Sequence, residues 1–266
     1  MLDNIPLILT IDLEEFDIPL EYGQSIDLTE QMAVSYEGLK RILPILEKHH
    51  VTATFFTTAH WAEHYPKMVY SLAQKHEIAS HAYFHSSFDE KDYALSKKTL
   101  ENITQQTIYG FRMPRLRPVN FESLKKVGYL YDASMNPTYL PRRYNNLSQP
   151  IRPYHNGKIF ILPSSVTPIL RIPLFWLSFK NLPNSINRFL FKHIQHNGVF
   201  VFYIHPWEFA NIDKYHLPNY IKRPNSDALV QKLDDFLSFI APFGHFSTCK
   251  DFFYLKAFYK TKGLKY

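Results

Sequence analysis

Val199-Phe200-Val201-Phe202-Tyr203-Ile204 is an unbroken apolar run that stops abruptly at His205-Pro206-Trp207-Glu208. A short run rich in β-branched and aromatic residues, with no polar alternation, predicts a strand covered on both faces, as in a parallel sheet. Pro6 to Ile11 repeats the pattern and is followed by Asp12, where the strand is expected to leave the sheet. Val51 to Phe56 repeats it again. Between such runs lie helical patterns. Tyr36 to His49 places Leu39, Ile42, Leu43 and Leu46 at helical spacing, with Pro44 expected to kink it. Pro66 opens a second helix to about His76. Asp89 is the expected cap of a third, running to about Gln106. Strand–helix alternation of this kind predicts an α/β protein built on a mostly parallel sheet, open or closed into a barrel.

The rest of the chain continues the alternation. Ile108 to Arg112, Tyr129 to Ala133 and Ile159 to Leu162 are predicted strands. Pro118 to Val127 is a predicted short helix closed by Gly128, and Phe175 to Gln195 a longer one. Asn225 or Ser226 should cap a helix to about Ile240, and Thr248 a last one. Residues 137–156, rich in Pro, Asn, Arg and Tyr, are expected to form a long loop or insertion. No internal repeat or low-complexity linker divides the 266 residues, so 1–266 is expected to be a single domain.

Bulk properties set limits on partners. The net charge of +6 suits an anionic partner such as phosphate or a membrane surface. No basic motif has nucleic-acid spacing, so nucleic acid is not expected. The single cysteine, Cys249, excludes an internal disulfide framework and fits a reducing compartment. The 22 Phe and 18 Tyr suit a large core or a groove for sugar rings and acyl chains. The apolar run after Asn4 is too short for a secretory leader, and no run approaches a membrane span. A cytoplasmic location is expected. Contact with the inner membrane face could come from Val166 to Leu177 or from the tail Lys250 to Lys265. The oligomeric state is not legible.

Ionisable groups collect just after the predicted strands. Glu77-Ile78-Ala79-Ser80-His81-Ala82-Tyr83-Phe84-His85 places two imidazoles four apart, which converge if the backbone bends into a helical turn. Neutral imidazole is the commonest transition-metal ligand, and two histidines with a carboxylate leave open positions on zinc. Asp12 and Glu14 lie two apart and so share a face of an extended strand. An acidic turn such as Glu14, Glu15 and Asp17 is commonly just solvated. Asp12 ends an apolar strand, however, and would need a partner if buried, which Arg112 can supply. His205 ends another buried strand. It is either hydrogen-bonded to backbone or a general acid tuned by Glu208, with Trp207 as an apolar wall.

In order, Thr10-Ile11-Asp12-Leu13-Glu14, His81 to His85, Gly110-Phe111-Arg112-Met113-Pro114, Gly128 to Ser134 and Val201 to Glu208 resemble the five motifs of the polysaccharide deacetylases. That group is also called the NodB-homology domain or carbohydrate esterase family 4. The His-Pro-Trp-Glu form of the last motif is similar to members from exopolysaccharide clusters. The resemblance implies a distorted (β/α) barrel of about seven parallel strands. It implies a hydrolase that removes an N-acetyl group from an amino sugar of a surface polysaccharide or its precursor.

The resemblance also implies roles. Asp12 would be the general base, Arg112 its orienting partner and His205 the general acid. His81 and His85 would hold a divalent metal, zinc being the ion expected. The family's adjacent Asp-Asp pair is replaced here by Asp12-Leu13-Glu14. Glu14 is therefore the expected third ligand, with Glu15 in reserve. Trp207, Pro114 and Glu208 are the expected substrate contacts. Hydrolysis of another amide or formamide, including a metal-free variant, is the alternative. A non-catalytic carbohydrate-binding relic would have no need of Asp12, His81, His85, Arg112 and His205 together.

Overall fold

The computed structural model describes residues 4–261. β1 (Ile5–Leu13) is buried along its whole length and lies at the centre of a curled sheet. One edge of β1 pairs in parallel with β10 (Phe200–Ile204), in register Leu7 with Phe200 to Ile11 with Ile204. The other edge pairs in parallel with β2 (Thr54–Thr57) near its end and with β11 (Gly244–Phe246) near its start. From β2 the sheet continues in parallel through β3 (Glu77–Ser80), β4 (Gly110–Phe111), β5 (Tyr131–Asp132) and β9 (Phe160–Ile161). β8 (Tyr154–His155) adds an antiparallel edge to β9. The path thus holds seven parallel strands in the order β10-β1-β2-β3-β4-β5-β9, a half-barrel of the expected class.

Between β9 and β10 the described residues form no ladder. The chain leaving β9 bridges the gap instead. Ser165 N–H donates to the Val201 carbonyl at 3.0 Å, and the Val201 N–H donates to Ser165 Oγ at 2.8 Å.

Helices flank the sheet. The longest, Leu28–Lys48, starts eight residues before Tyr36, because the Asp27 carboxylate accepts from the Glu30 N–H at 2.8 Å and caps it there. Pro44 lies inside this helix. Its Gly38 packs on the turn after β10. A Cβ at Gly38 would fall 1.8 Å from the Pro206 carbonyl oxygen, so only glycine permits this approach.

Four local expectations are corrected. Asp12 does not mark the strand's exit, since β1 runs to Leu13 and pairs Asp12 with Phe56. The helix after Asp89 begins at Asp92, and Asp89 Oδ1 accepts from Lys91 N–H in the preceding turn. Phe175 to Gln195 is two helices, Trp176–Asn181 and Asn184–Ile194, interrupted at Leu182-Pro183 because proline disfavours helix in the residue before it. Residues 137–156 are not all loop. They form an antiparallel hairpin, β6 (Tyr139–Leu140) with β7 (Tyr144–Asn145), and then β8.

The expected final helix forms as Cys249–Thr261, with Thr248 Oγ1 accepting from Asp251 N–H. Cys249 and Phe252 are buried against the sheet, so its first turns are packed structure. The tail beyond Thr261 lies outside the described residues.

Candidate metal and catalytic site

Parallel strands end together, and their C-terminal loops enclose a cavity of about 320 Å³. Asp12, Glu14, Asp17, His81, His85 and His205 all reach it. The acidic turn is not solvated. Glu14, Glu15 and Asp17 are each buried, and each has an imidazole partner.

Glu14 and the two histidines of the opening motif form one group. Glu14 Oε2 lies 3.0 Å from His81 Nε2 and 3.1 Å from His85 Nε2. Backbone geometry produces the convergence, but not by a helical turn. Ala82 adopts φ +60°, and this left-handed residue swings the chain so that the two rings lie nearly parallel, 5.8 Å apart. Each outer ring nitrogen is already held. His81 Nδ1 lies 2.8 Å from the Arg112 carbonyl oxygen, and His85 Nδ1 lies 2.8 Å from Asp17 Oδ1. An acceptor at Nδ1 holds a proton there and leaves Nε2 as the inward-facing nitrogen, the one a metal would take in exchange for its proton.

Among the described residues this is the one group of three or more His, Cys, Asp or Glu residues whose ligand atoms lie within 4.8 Å of one another. Its donor set suits a transition metal such as zinc. Glu15, the reserve ligand, points elsewhere. It accepts from Thr58 Oγ1 at 2.8 Å and lies 2.9 Å from His60 Nδ1.

Charge is concentrated here. Burial would raise the Glu14 pKa, but His85, His205 and the His81 hydrogen bond outweigh it and hold the carboxyl well below its usual range. Burial would lower His85, but Glu14 and Asp17 overcome it and bring the imidazole to about 9. Arg115 donates to Asp17 Oδ2 at 2.8 Å and also binds Glu21, so Asp17 is clamped from both sides.

Asp12 sits beside this group. The fully buried Arg112 donates from Nη1 to Asp12 Oδ1 at 2.5 Å and to Thr10 Oγ1 at 2.9 Å, and from Nε to the Ala133 carbonyl at 3.0 Å. Its guanidinium lies over the Phe56 ring at 4.1 Å. These contacts leave Asp12 Oδ2 facing His205 Nε2 at 3.8 Å. His205 Nδ1 in turn lies 3.0 Å from Glu208 Oε1, which also accepts the His205 backbone N–H at 2.7 Å. Burial lowers the His205 pKa, and Glu14, Glu208 and Asp12 together raise it above the ordinary value.

Two of the expected substrate contacts are corrected. Glu208 is buried and spent on holding His205, and Pro114 is buried in the turn after Arg112; neither lines the cavity. Trp207 does line it, and its Nε1–H donates to Glu14 Oε1 at 3.1 Å. Asp17, Arg115, Trp176 and Tyr203 are cavity residues that sequence reasoning did not select. Trp176 packs edge-on to His205, with ring centroids 5.2 Å apart. Only the position of Asp17 beside two other carboxylates hinted at its role.

A buried carboxylate with two tautomer-fixed imidazoles, at the C-terminal mouth of a curled parallel sheet, defines the class: an α/β protein with a candidate mononuclear metal centre. Residues 32–130, which include His81, His85 and Arg112, match the family model described as polysaccharide deacetylase.

The chain is 37% identical over 71 residues to an uncharacterized protein of Bacillus subtilis (strain 168) and 25% identical over 119 residues to the peptidoglycan deacetylase of Helicobacter pylori (strain ATCC 700392 / 26695). These matches take in 26% and 41% of this chain, and they span 20% and 41% of those proteins. The fold is that of a Mycobacterium smegmatis protein described as a candidate polysaccharide deacetylase (TM-score 0.66, 18% identity, 100% of this chain and 93% of that one). It is shared with the Puue allantoinase (TM-score 0.63, 16% identity, 94% and 89%).

Proposed function

We propose that the protein is a metal-dependent hydrolase that removes the acetyl group from an N-acetylated amino sugar of a surface polysaccharide or its precursor. The observation that carries this reading is the arrangement around Glu14. One oxygen lies between the Nε2 atoms of His81 and His85, with Asp12 and His205 facing each other beside it. Glu14, His81 and His85 would hold the metal. Bound there, it would supply Lewis acidity that brings the pKa of a water towards about 7, as in the best zinc sites.

The chain's own groups supply the rest. Arg112 occupies one oxygen of Asp12 and keeps the other aimed into the cavity. That free oxygen takes a proton from the attacking water as its oxygen adds to the amide carbonyl. His205, held by Glu208, donates a proton to the amide nitrogen as the C–N bond breaks, giving acetate and a free amine. The Trp207 and Trp176 rings offer an apolar wall for a sugar ring or acyl methyl.

A metal-free hydrolysis of another amide is the second reading. Elemental analysis of the purified protein beside His81→Ala separates the two. The expected result is near-stoichiometric divalent metal in the wild type, lost in the variant, with acetate released from N-acetyl sugars by the wild type only. A wild type that carries no metal and takes up no added zinc would sink the mechanism as written.

A further inference from the structure

From Ala133 to Trp207 the sequence contains no Asp or Glu, while Arg142, Arg143, Arg152, Lys158, Arg171, Lys180, Arg188 and Lys192 all fall within it. This one stretch therefore carries +8 and the rest of the chain −2, which together give the net charge of +6. The same stretch carries the most exposed aliphatic side chains of the described residues. Ile169 is 89% and Leu170 75% exposed, side by side at the tip of a tongue whose base is pinned by the Val166–Pro173 bridge.

The tongue is fixed to its neighbours. Thr138 Oγ1 donates to the Arg171 carbonyl at 2.7 Å, and Arg171 Nη1 donates to the Gln149 carbonyl at 2.5 Å. Tyr139, in β6 of the adjoining hairpin, and Leu147, just after β7, are 55% and 45% exposed. On the other side Asn197 Nδ2 donates to the Val166 carbonyl at 3.0 Å, tying the tongue to the end of the Asn184–Ile194 helix.

We propose that this face docks the protein on an anionic lipid bilayer, with the Ile169–Leu170 tip entering the interface and basic side chains of the neighbouring segments facing the lipid headgroups. Two adjacent aliphatics at a loop tip are costly to leave in water and too few to form a core with anything small. Among the described residues no carboxylate pairs with Arg142, Arg152, Arg188 or Lys192. Uncompensated cations beside inserted aliphatics are complementary to an anionic membrane surface, where each adds attraction within a Debye length.

The position also bears on the substrate. Leu140, Pro141, Arg143 and Tyr144, next to Tyr139, and Phe175, Trp176 and Leu177, just beyond the tongue, all line the catalytic cavity. Docking through the tongue brings the cavity mouth close to the headgroups. Resting on the deacetylase reading, this points to a sugar carried on a lipid as the substrate.

The test is co-sedimentation of the full chain with phosphatidylcholine vesicles, with and without phosphatidylglycerol. Wild type should pellet with the anionic vesicles and stay in solution with the neutral ones. Ile169→Ser/Leu170→Ser should bind at least about tenfold more weakly, and about 0.5 M salt should release the wild type by screening the headgroup charge. Both side chains are on the surface, so an unchanged circular dichroism spectrum will show that the variant folds. No binding to anionic vesicles, or equal binding by the variant, overturns the proposal. So does a wild-type dimer in sedimentation that the variant lacks, which would assign the face to a second copy. Binding needs no turnover, so its failure is distinguishable from failure of the catalytic reading.

Discussion

Asp12 and Glu14 are two residues apart on one strand, yet their neighbours divide the work between them. Arg112 grips Asp12, and two imidazoles grip Glu14. The division predicts distinct losses. On the proposed mechanism, Asp12→Asn keeps the shape but loses the proton acceptor, and His205→Ala loses the donor. Each should lower kcat by at least about 100-fold while metal content stays at the wild-type level. Acetate release and elemental analysis on the same preparations check both halves. A variant that lost metal together with activity would move Asp12 into the ligand set. The choice of Glu14 beside His81 and His85 followed from the motif resemblance, together with the strand face that Glu14 shares with Asp12. The roles of Asp17 and Arg115 did not, because nothing local distinguishes a buried clamp from a solvated acidic turn.

The elements hold these side chains at two close approaches. Where the Leu28–Lys48 helix meets the turn after β10, Gly38→Ala places a methyl within bond-length range of the Pro206 carbonyl. Overpacking of this kind costs roughly 1–3 kcal/mol. Because the displaced turn carries His205, activity should fall by more than the unfolded fraction explains. Urea denaturation and kcat measured together test this.

The second approach is at His76, where Nδ1 accepts the Ala53 N–H at 3.3 Å just before β2. Burial, aided by Lys75, pushes the His76 imidazole down to about 4 from 6.5. The sign follows directly: as pH falls from 6.5 towards 4, the unfolded chain binds a proton that the native state refuses. Stability from this group is therefore complete above pH 6.5 and is lost below it. His76→Gln should flatten the decline of the urea midpoint between pH 7 and 4. An unchanged slope would mean that His76 titrates normally in the native protein.

Across the whole molecule, the sheet depends on a seam. No ladder joins β9 to β10 among the described residues, and Ser165 with its two hydrogen bonds to Val201 bridges the opening. Ser165→Ala leaves the buried Val201 N–H without an acceptor, at a cost of about 1–3 kcal/mol. The expected result is a lower denaturation midpoint with unchanged metal content, since the candidate metal ligands come from the end of β1 and the loop after β3 and make none of the Ser165 contacts.

Much of this architecture was legible in the chain itself. Continuous apolar runs such as Phe200 to Ile204 can satisfy their backbone only inside a covered sheet, and a polar residue at the end of such a run must lie at its mouth. The sequence alone therefore determined the parallel α/β class and the collection of Asp12, Glu14, His81, Arg112 and His205 on one side. Tertiary structure decided the rest. The left-handed Ala82 that turns His85 inward, the capture of Glu15 by Thr58 and His60, and the burial of Pro114 and Glu208 away from the cavity depend on contacts between residues far apart in the chain. Local propensity carries no information about such contacts. Only the packed molecule chooses which of several plausible partners each buried charge receives.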